Sequence, residues 1–307
     1  MIIELPPRCQ VYKMWNDSLY VVVKDRLSEE VIDYIAHKPF DVLSLSHGKW
    51  HDVSRLIKYK DKITELNIRG DDIDWQSISE LSYIERLFID IGAGSKCDLA
   101  LNKLTHLKHL NSDWCKGFEH NLKNLDNLKS VVIRGYKKED FNSFEKMVSL
   151  EFLELVGTRT LSSLDAINNF KKLRYLEIGN CGKLANVSAA IDLPKLESLW
   201  LDKCKVDNDY SVLSNLSSIN EIFIGGAMQD LRWLKNLKTL TRLRLDCKLE
   251  DGELDFLYDM PNLKFVLFNN KRNFSVKIKD IQKHLEAKGH NQAELRMTGL
   301  TFDEAFK

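Results

Sequence analysis

The chain has 307 residues and carries 45 Lys+Arg against 45 Asp+Glu, so its net charge is zero and its pI is about 7.1. That balance excludes a general nucleic-acid or anionic-membrane binder, which needs a basic excess. Hydrophobic residues at 44% exclude disorder, and 14 Gly with 5 Pro exclude collagen-like or linker-rich chains. No apolar run reaches the ~18 residues of a membrane helix, and the opening Met1-to-Arg8 stretch does not read as a secretory signal. These features point to a soluble, cytoplasmic protein.

In chain order, Tyr20–Val23 predicts a strand. Ser28 to His37 predicts a helix with Ser28 as N-cap, acids in its first turn, and His37 before Pro39 at its end. From residue 40 a short apolar pattern recurs eleven times. It begins Phe40/Leu43/Leu45, Ile63/Leu66/Ile68, Ile84/Leu87/Ile89 and Leu107/Leu110/Ser112. It continues Leu128/Val131/Ile133, Leu150/Leu153/Leu155, Leu173/Leu176/Ile178 and Leu196/Leu199/Leu201, and ends Ile219/Ile222/Ile224, Leu240/Leu243/Leu245 and Leu263/Val266/Phe268. Successive copies lie 21–23 residues apart. The alternating apolar pair predicts a strand with one buried side. A single copy cannot bury that side; stacked copies can. Between strands, sets spaced by three such as Leu161/Leu164/Ile167/Phe170 predict short helices or 3₁₀ turns. Ile278/Ile281/Leu285 predict a last amphipathic helix before Gly289, and residues 293–307 a final strand and turn.

These copies resemble the leucine-rich repeat family, L-x-x-L-x-L-x-x-N/C-x-L, in its short internalin-like form. The resemblance implies an α/β fold: a right-handed solenoid with a curved parallel sheet on its concave face and short helices or 3₁₀ turns on its convex face. It divides the chain into an N-terminal cap (1–39), repeats (40–270) and a C-terminal cap (271–307). The family's N/C position holds Gly48, Asp71, Gly92, Cys115, Tyr136, Thr158, Cys181, Cys204, Ala227, Lys248 and Lys271, so an asparagine ladder is absent. Cys115, Cys181 and Cys204 thereby have a structural place, and reduced, buried thiols are expected. His47, His51 and Asp52 lie close in sequence, as do His106, His109, Asp113 and Cys115; His106, His109 and Cys115 diverge in direction, and neither group is expected to hold a metal. His109 is expected to face outward.

No motif of nucleophilic, phosphate-binding or metalloprotease chemistry occurs, and no enzyme activity or cofactor is expected. Function is expected on the concave face. Its register turns Phe88, Phe152, Tyr175, Trp200, Phe223 and Phe265 outward, with Trp114 at a strand end. Exposed aromatics beside charges have the composition of interface hot spots. Arg69, Arg86 and Arg134 lean the N-terminal half basic; Glu154, Glu177, Asp202 and Glu221 make the middle acidic; Arg242 and Arg244 restore positive charge. The expected partner-binding residues are therefore Arg86, Phe88, Phe152, Glu154, Tyr175, Glu177, Trp200, Asp202, Phe223, Arg242 and Arg244. The expected partner is another protein with a basic patch, bound by a monomer, without nucleic acid or membrane. One alternative is an immunity protein masking the active site of a basic toxin. Another is a carbohydrate-binding surface.

Overall fold

A computed structural model describes residues 2–4, 9–122, 125–204 and 210–292. The chain forms two compact units, Met1–Arg134 and Gly135–Lys307. The segment 293–307, expected to hold a last strand and turn, lies outside the described residues.

The first unit opens with β1 (Ile2–Glu4), β2 (Cys9–Lys13) and β3 (Leu19–Lys24), paired antiparallel in succession. Helix α1 (Glu29–His37) follows; Ser28 caps it by accepting from the Val31 N–H at 3.4 Å, as the sequence predicts. From β3 onward the direction is parallel: β4 (Val42–Lys49), β5 (Glu65–Asp71), β6 (Arg86–Asp90), β7 (His109–Asp113) and β8 (Ser130–Arg134). The parallel ladder includes β3, whose Val21 and Val23 stand opposite Leu43 and Leu45. Two single-turn helices, α2 (Trp75–Ser79) and α3 (Phe118–Leu122), and 3₁₀ turns fill the returns.

The second unit is wholly parallel among its described strands: β9 (Phe152–Val156), β10 (Tyr175–Gly179), β11 (Ser198–Asp202), β12 (Glu221–Met228), β13 (Arg242–Leu249) and β14 (Phe265–Phe268). Its returns are 3₁₀ turns, and α4 (Ile278–Ala287) packs against β14.

In both units the apolar pattern forms the core. Leu153, Leu176 and Leu199 are aligned across β9–β11 and at most 1% exposed, as are Leu161, Leu164, Ile167 and Phe170 of one return. Phe40 differs from the rest, being half-buried. At the turn position Cys115, Cys181 and Cys204 are buried as expected, and Tyr136 and Thr158 are buried with them. In β12 and β13 the position is not buried. Those strands run eight residues, so pairing continues through Ala227–Lys248 to Met228–Leu249. Ala227 and Lys248 consequently point to solvent, while Cys247 takes the buried place.

Candidate interaction surface

In the second unit, parallel pairing stacks equivalent positions of successive strands at the ~4.8 Å strand spacing. One row on the face opposite the leucines reads Phe152, Tyr175, Ser198, Glu221, Arg242, Phe265. The next reads Glu154, Glu177, Trp200, Phe223, Arg244, Leu267. The rings form a continuous series. Phe152 stacks on Tyr175 at 4.3 Å and 3°; Tyr175 meets Trp200 at 6.3 Å; Trp200 meets Phe223 at 5.0 Å; and the Arg244 guanidinium lies 5.0 Å over Phe223.

That series corrects the expected exposure. Phe152, Tyr175, Phe223 and Phe265 are only 2–6% exposed, and Trp114 is 5% exposed. Strand spacing is close to ring-stacking distance, so Phe152 and Tyr175 cover each other's faces, while Trp200 and Phe223 pack tilted alongside. Phe88 and Trp200 retain partial exposure. The Trp200 indole is held in place: its N–H donates to Ser198 Oγ at 3.0 Å and to Glu221 Oε1 at 3.1 Å. Glu221 is buried and also accepts from the Ser198 hydroxyl at 3.3 Å. Ser198 is thus a positioning residue that the sequence reading passed over, although it shares a row with Tyr175.

The acids form a second series. Glu154 stands opposite Glu177, like charge against like. The Tyr175 hydroxyl donates to Glu177. Burial pushes the Glu177 carboxyl up, the Tyr175 hydrogen bond opposes this, and nearby Asp202 adds to the rise. Burial, then Glu177, pushes the Tyr175 phenol up in turn. Asp202 stands opposite Gly179, with Gly225 in the following strand, and among the described residues it pairs with the adjacent Lys203 at 3.9 Å.

The first unit places Arg86 and Phe88 on β6, and there the expected basic lean is corrected. Arg69 is bonded to Asp90, with Nε–Oδ2 at 2.8 Å. Arg134 donates from Nε to Asp113 Oδ1 at 2.9 Å, from Nη1 to Asn111, and from Nη2 to the Ile89 carbonyl at 3.1 Å, while its guanidinium lies 5.3 Å over Phe88. Asp113 in turn accepts from the Ile91 and Gly92 N–H groups. His109, expected to face out into solvent, is 5% exposed; burial, then the Arg86 charge, lowers its pKa to about 4.

All six cysteines are buried and carry free thiols. Cys181 and Cys204 are in hydrogen-bond contact, which together with burial pushes Cys204 up. Among the described residues no group of three His, Cys, Asp or Glu side chains is placed to hold a metal, and no helix is long and apolar enough to cross a membrane.

No family model matches the chain. Among curated proteins, a probable disease resistance protein of Arabidopsis thaliana is 25% identical over 224 residues, covering 67% of this chain and 22% of that protein. The disease resistance protein UNI of the same plant is 27% identical over 222 residues, covering 67% and 24%. The chain spans about a quarter of the length of these relatives. Among solved structures, internalin F of Listeria monocytogenes superposes with a TM-score of 0.55 at 22% identity over 82% of this chain and 87% of its own. The functional domain of internalin J from the same bacterium, which includes a cysteine ladder, gives 0.53 at 19% identity over 80% and 51%.

The chain is a leucine-rich-repeat solenoid. Within the leucine-rich-repeat frame, the two rows described above lie on the side of the sheet facing away from the repeat core, where alternation directs every residue flanking a core leucine.

Proposed function

We propose that this leucine-rich-repeat chain is a non-catalytic binding module. In this reading it takes a protein partner with an exposed basic patch on the open sheet face of the second unit. The observation that carries it is the partly buried Glu177 beside a second acid, Asp202, in line with Glu154 one strand earlier. Neighbouring like charges repel, and partial burial of Glu177 adds to that cost. A cationic partner offsets both. Trp200, partly exposed and clamped by Ser198 and Glu221, supplies a rigid aromatic anchor of the kind that concentrates binding energy. The carbohydrate alternative needs open ring faces, and here the faces of Phe152 and Tyr175 cover each other. The six buried thiols support a reducing, cytoplasmic setting.

The test is capture of the partner by cross-linking from the native cell, followed by titration with the purified partner. Glu177→Lys and Asp202→Lys are expected to weaken binding about tenfold or more and to flatten its salt dependence. Ser44→Lys, in the first unit, serves as control. Affinity unchanged in both variants overturns the reading. An assay of the captured partner's own activity, with and without the chain, shows whether the same surface acts as an inhibitor.

A further inference from the structure

The two units treat the same repeat positions differently. In the first, Arg134 follows Asp113 at the corresponding place on the next strand. Its side chain runs back across β7, over Asn111 and Asp113, to the Phe88 ring of β6. In the second unit, Asp202 occupies the place of Asp113, Trp200 that of Asn111 and Glu177 that of Phe88. The place of Arg134 is taken by Gly225. Asp202 leans toward that empty position as Asp113 leans toward Arg134: a Cβ at Gly225 would collide with Asp202 Oδ1. On the other side of Asp202, Gly179 adds no side chain of its own, and Val156 of β9 lies beyond it.

We infer that this stretch of the open face is a receptor for an arginine side chain of the partner, lying over Trp200 and forked onto Asp202 and Glu177. The inference rests on the binding reading given above and names the group recognised. The lane is one the chain fills with its own guanidinium elsewhere, and a second guanidinium already lies on this aromatic series, Arg244 over Phe223. A planar, forked cation fits a ring beside two carboxylates. Lysine's point charge satisfies the acids but does not stack as well.

The full chain is titrated with acetyl-Gly-Arg-Gly-Arg-Gly-amide and with its lysine counterpart. The signal followed is the indole N–H resonance of Trp200, assigned by its loss in Trp200→Phe. The arginine peptide is expected to move this resonance saturably and to bind about fivefold tighter than the lysine peptide. Asp202→Asn is expected to weaken it about tenfold. Gly225→Arg places the chain's own arginine beside Asp202 and is expected to abolish the shift. The Asp202 carboxylate has to swing aside and the Lys203 backbone to yield by a few tenths of an ångström to admit it. Equal binding of both peptides, no movement of the Trp200 signal, or full binding by Asp202→Asn each overturns the arginine receptor. All three leave the binding module standing, because that reading is tested by the captured partner. Peptide binding that follows this pattern, with a captured partner insensitive to Glu177→Lys and Asp202→Lys, keeps the receptor and removes the face as that partner's site.

Discussion

Around Arg134 and around Trp200 the same repeat frame produces opposite electrostatics. In the first region every charge on the row of Arg69, Asp90, Asp113 and Arg134 is matched by a neighbour one strand away. In the second, the corresponding row reads Val156, Gly179, Asp202, Gly225, Asp246, and it adjoins Glu177. The first row satisfies itself and locks adjacent strands together. The second sets Asp202 beside glycines, with Lys203 at 3.9 Å as its cation among the described residues, and gives Glu177 a phenol rather than a cation. The first stretch is held by close internal ion pairs; the second is where an external cation adds most.

The largest expected effects ask whether the aromatic series belongs to the fold. Phe152 is as buried as a core leucine, so Phe152→Ala and Leu176→Ala should each cost about 3–4 kcal/mol in urea unfolding. A loss below about 1 kcal/mol for Phe152→Ala would make the series a surface feature.

Next, the two regions should answer acid in opposite ways. His109 is held near 4, below its ordinary value of about 6.5. The unfolded chain therefore binds a proton that the folded chain refuses. Stability is intact above about pH 6.5 and falls by up to about 3 kcal/mol as pH drops toward 4. His109→Gln should remove that dependence in urea titrations across the range. Glu177 is raised, so its contribution has the other sign: the folded chain holds the proton longer, and stability declines as pH rises above the ordinary carboxylate range.

A sharper contrast comes from cutting each row. Arg134→Ala removes three donors from Asp113, Asn111 and Ile89 and should cost about 2 kcal/mol. Asp202→Ala should change stability by less than about 0.5 kcal/mol, the range of an ordinary surface position. Equal losses would erase the distinction between the regions.

The smallest effect is Glu177→Gln. It relieves the burial of a charge and the repulsion from Asp202, and should stabilise the fold at pH 7 by about 0.5 kcal/mol, with the gain shrinking toward pH 4. A loss of stability at pH 7 would mean that the Tyr175 bond outweighs the repulsion.

The repeat spacing made most of the fold legible. A period of 21–23 residues with an apolar pair at its centre places Leu43 through Val131 in the first unit, and Leu153 through Val266 in the second, on one side of their own strands, and they are buried there. What spacing does not carry is how far a neighbour reaches. Alternation tells that Tyr175 turns away from the leucines, but its exposure depends on Phe152 standing one strand away at stacking distance. Arg134 reads as a free positive charge until the aspartate one repeat earlier is set beside it. The glycines flanking Asp202 were visible in the same rows but carry no side chain to attract notice. The continuation of β12 and β13 through Ala227 and Lys248 depends on pairing between two particular repeats, which a single-repeat pattern cannot encode.

The reversal at β2–β3 has a consequence of its own. Parallel strands that stack by repetition amount geometrically to a growing polymer: each added strand presents the same donors and acceptors as the last. Beside β3, with Val21 and Val23 in line with the repeat core, the chain lays β2 running the other way. A strand from a second copy arriving in the parallel direction finds that place taken, so the hairpin of residues 9–24 serves the ladder of the first unit as a chain terminator.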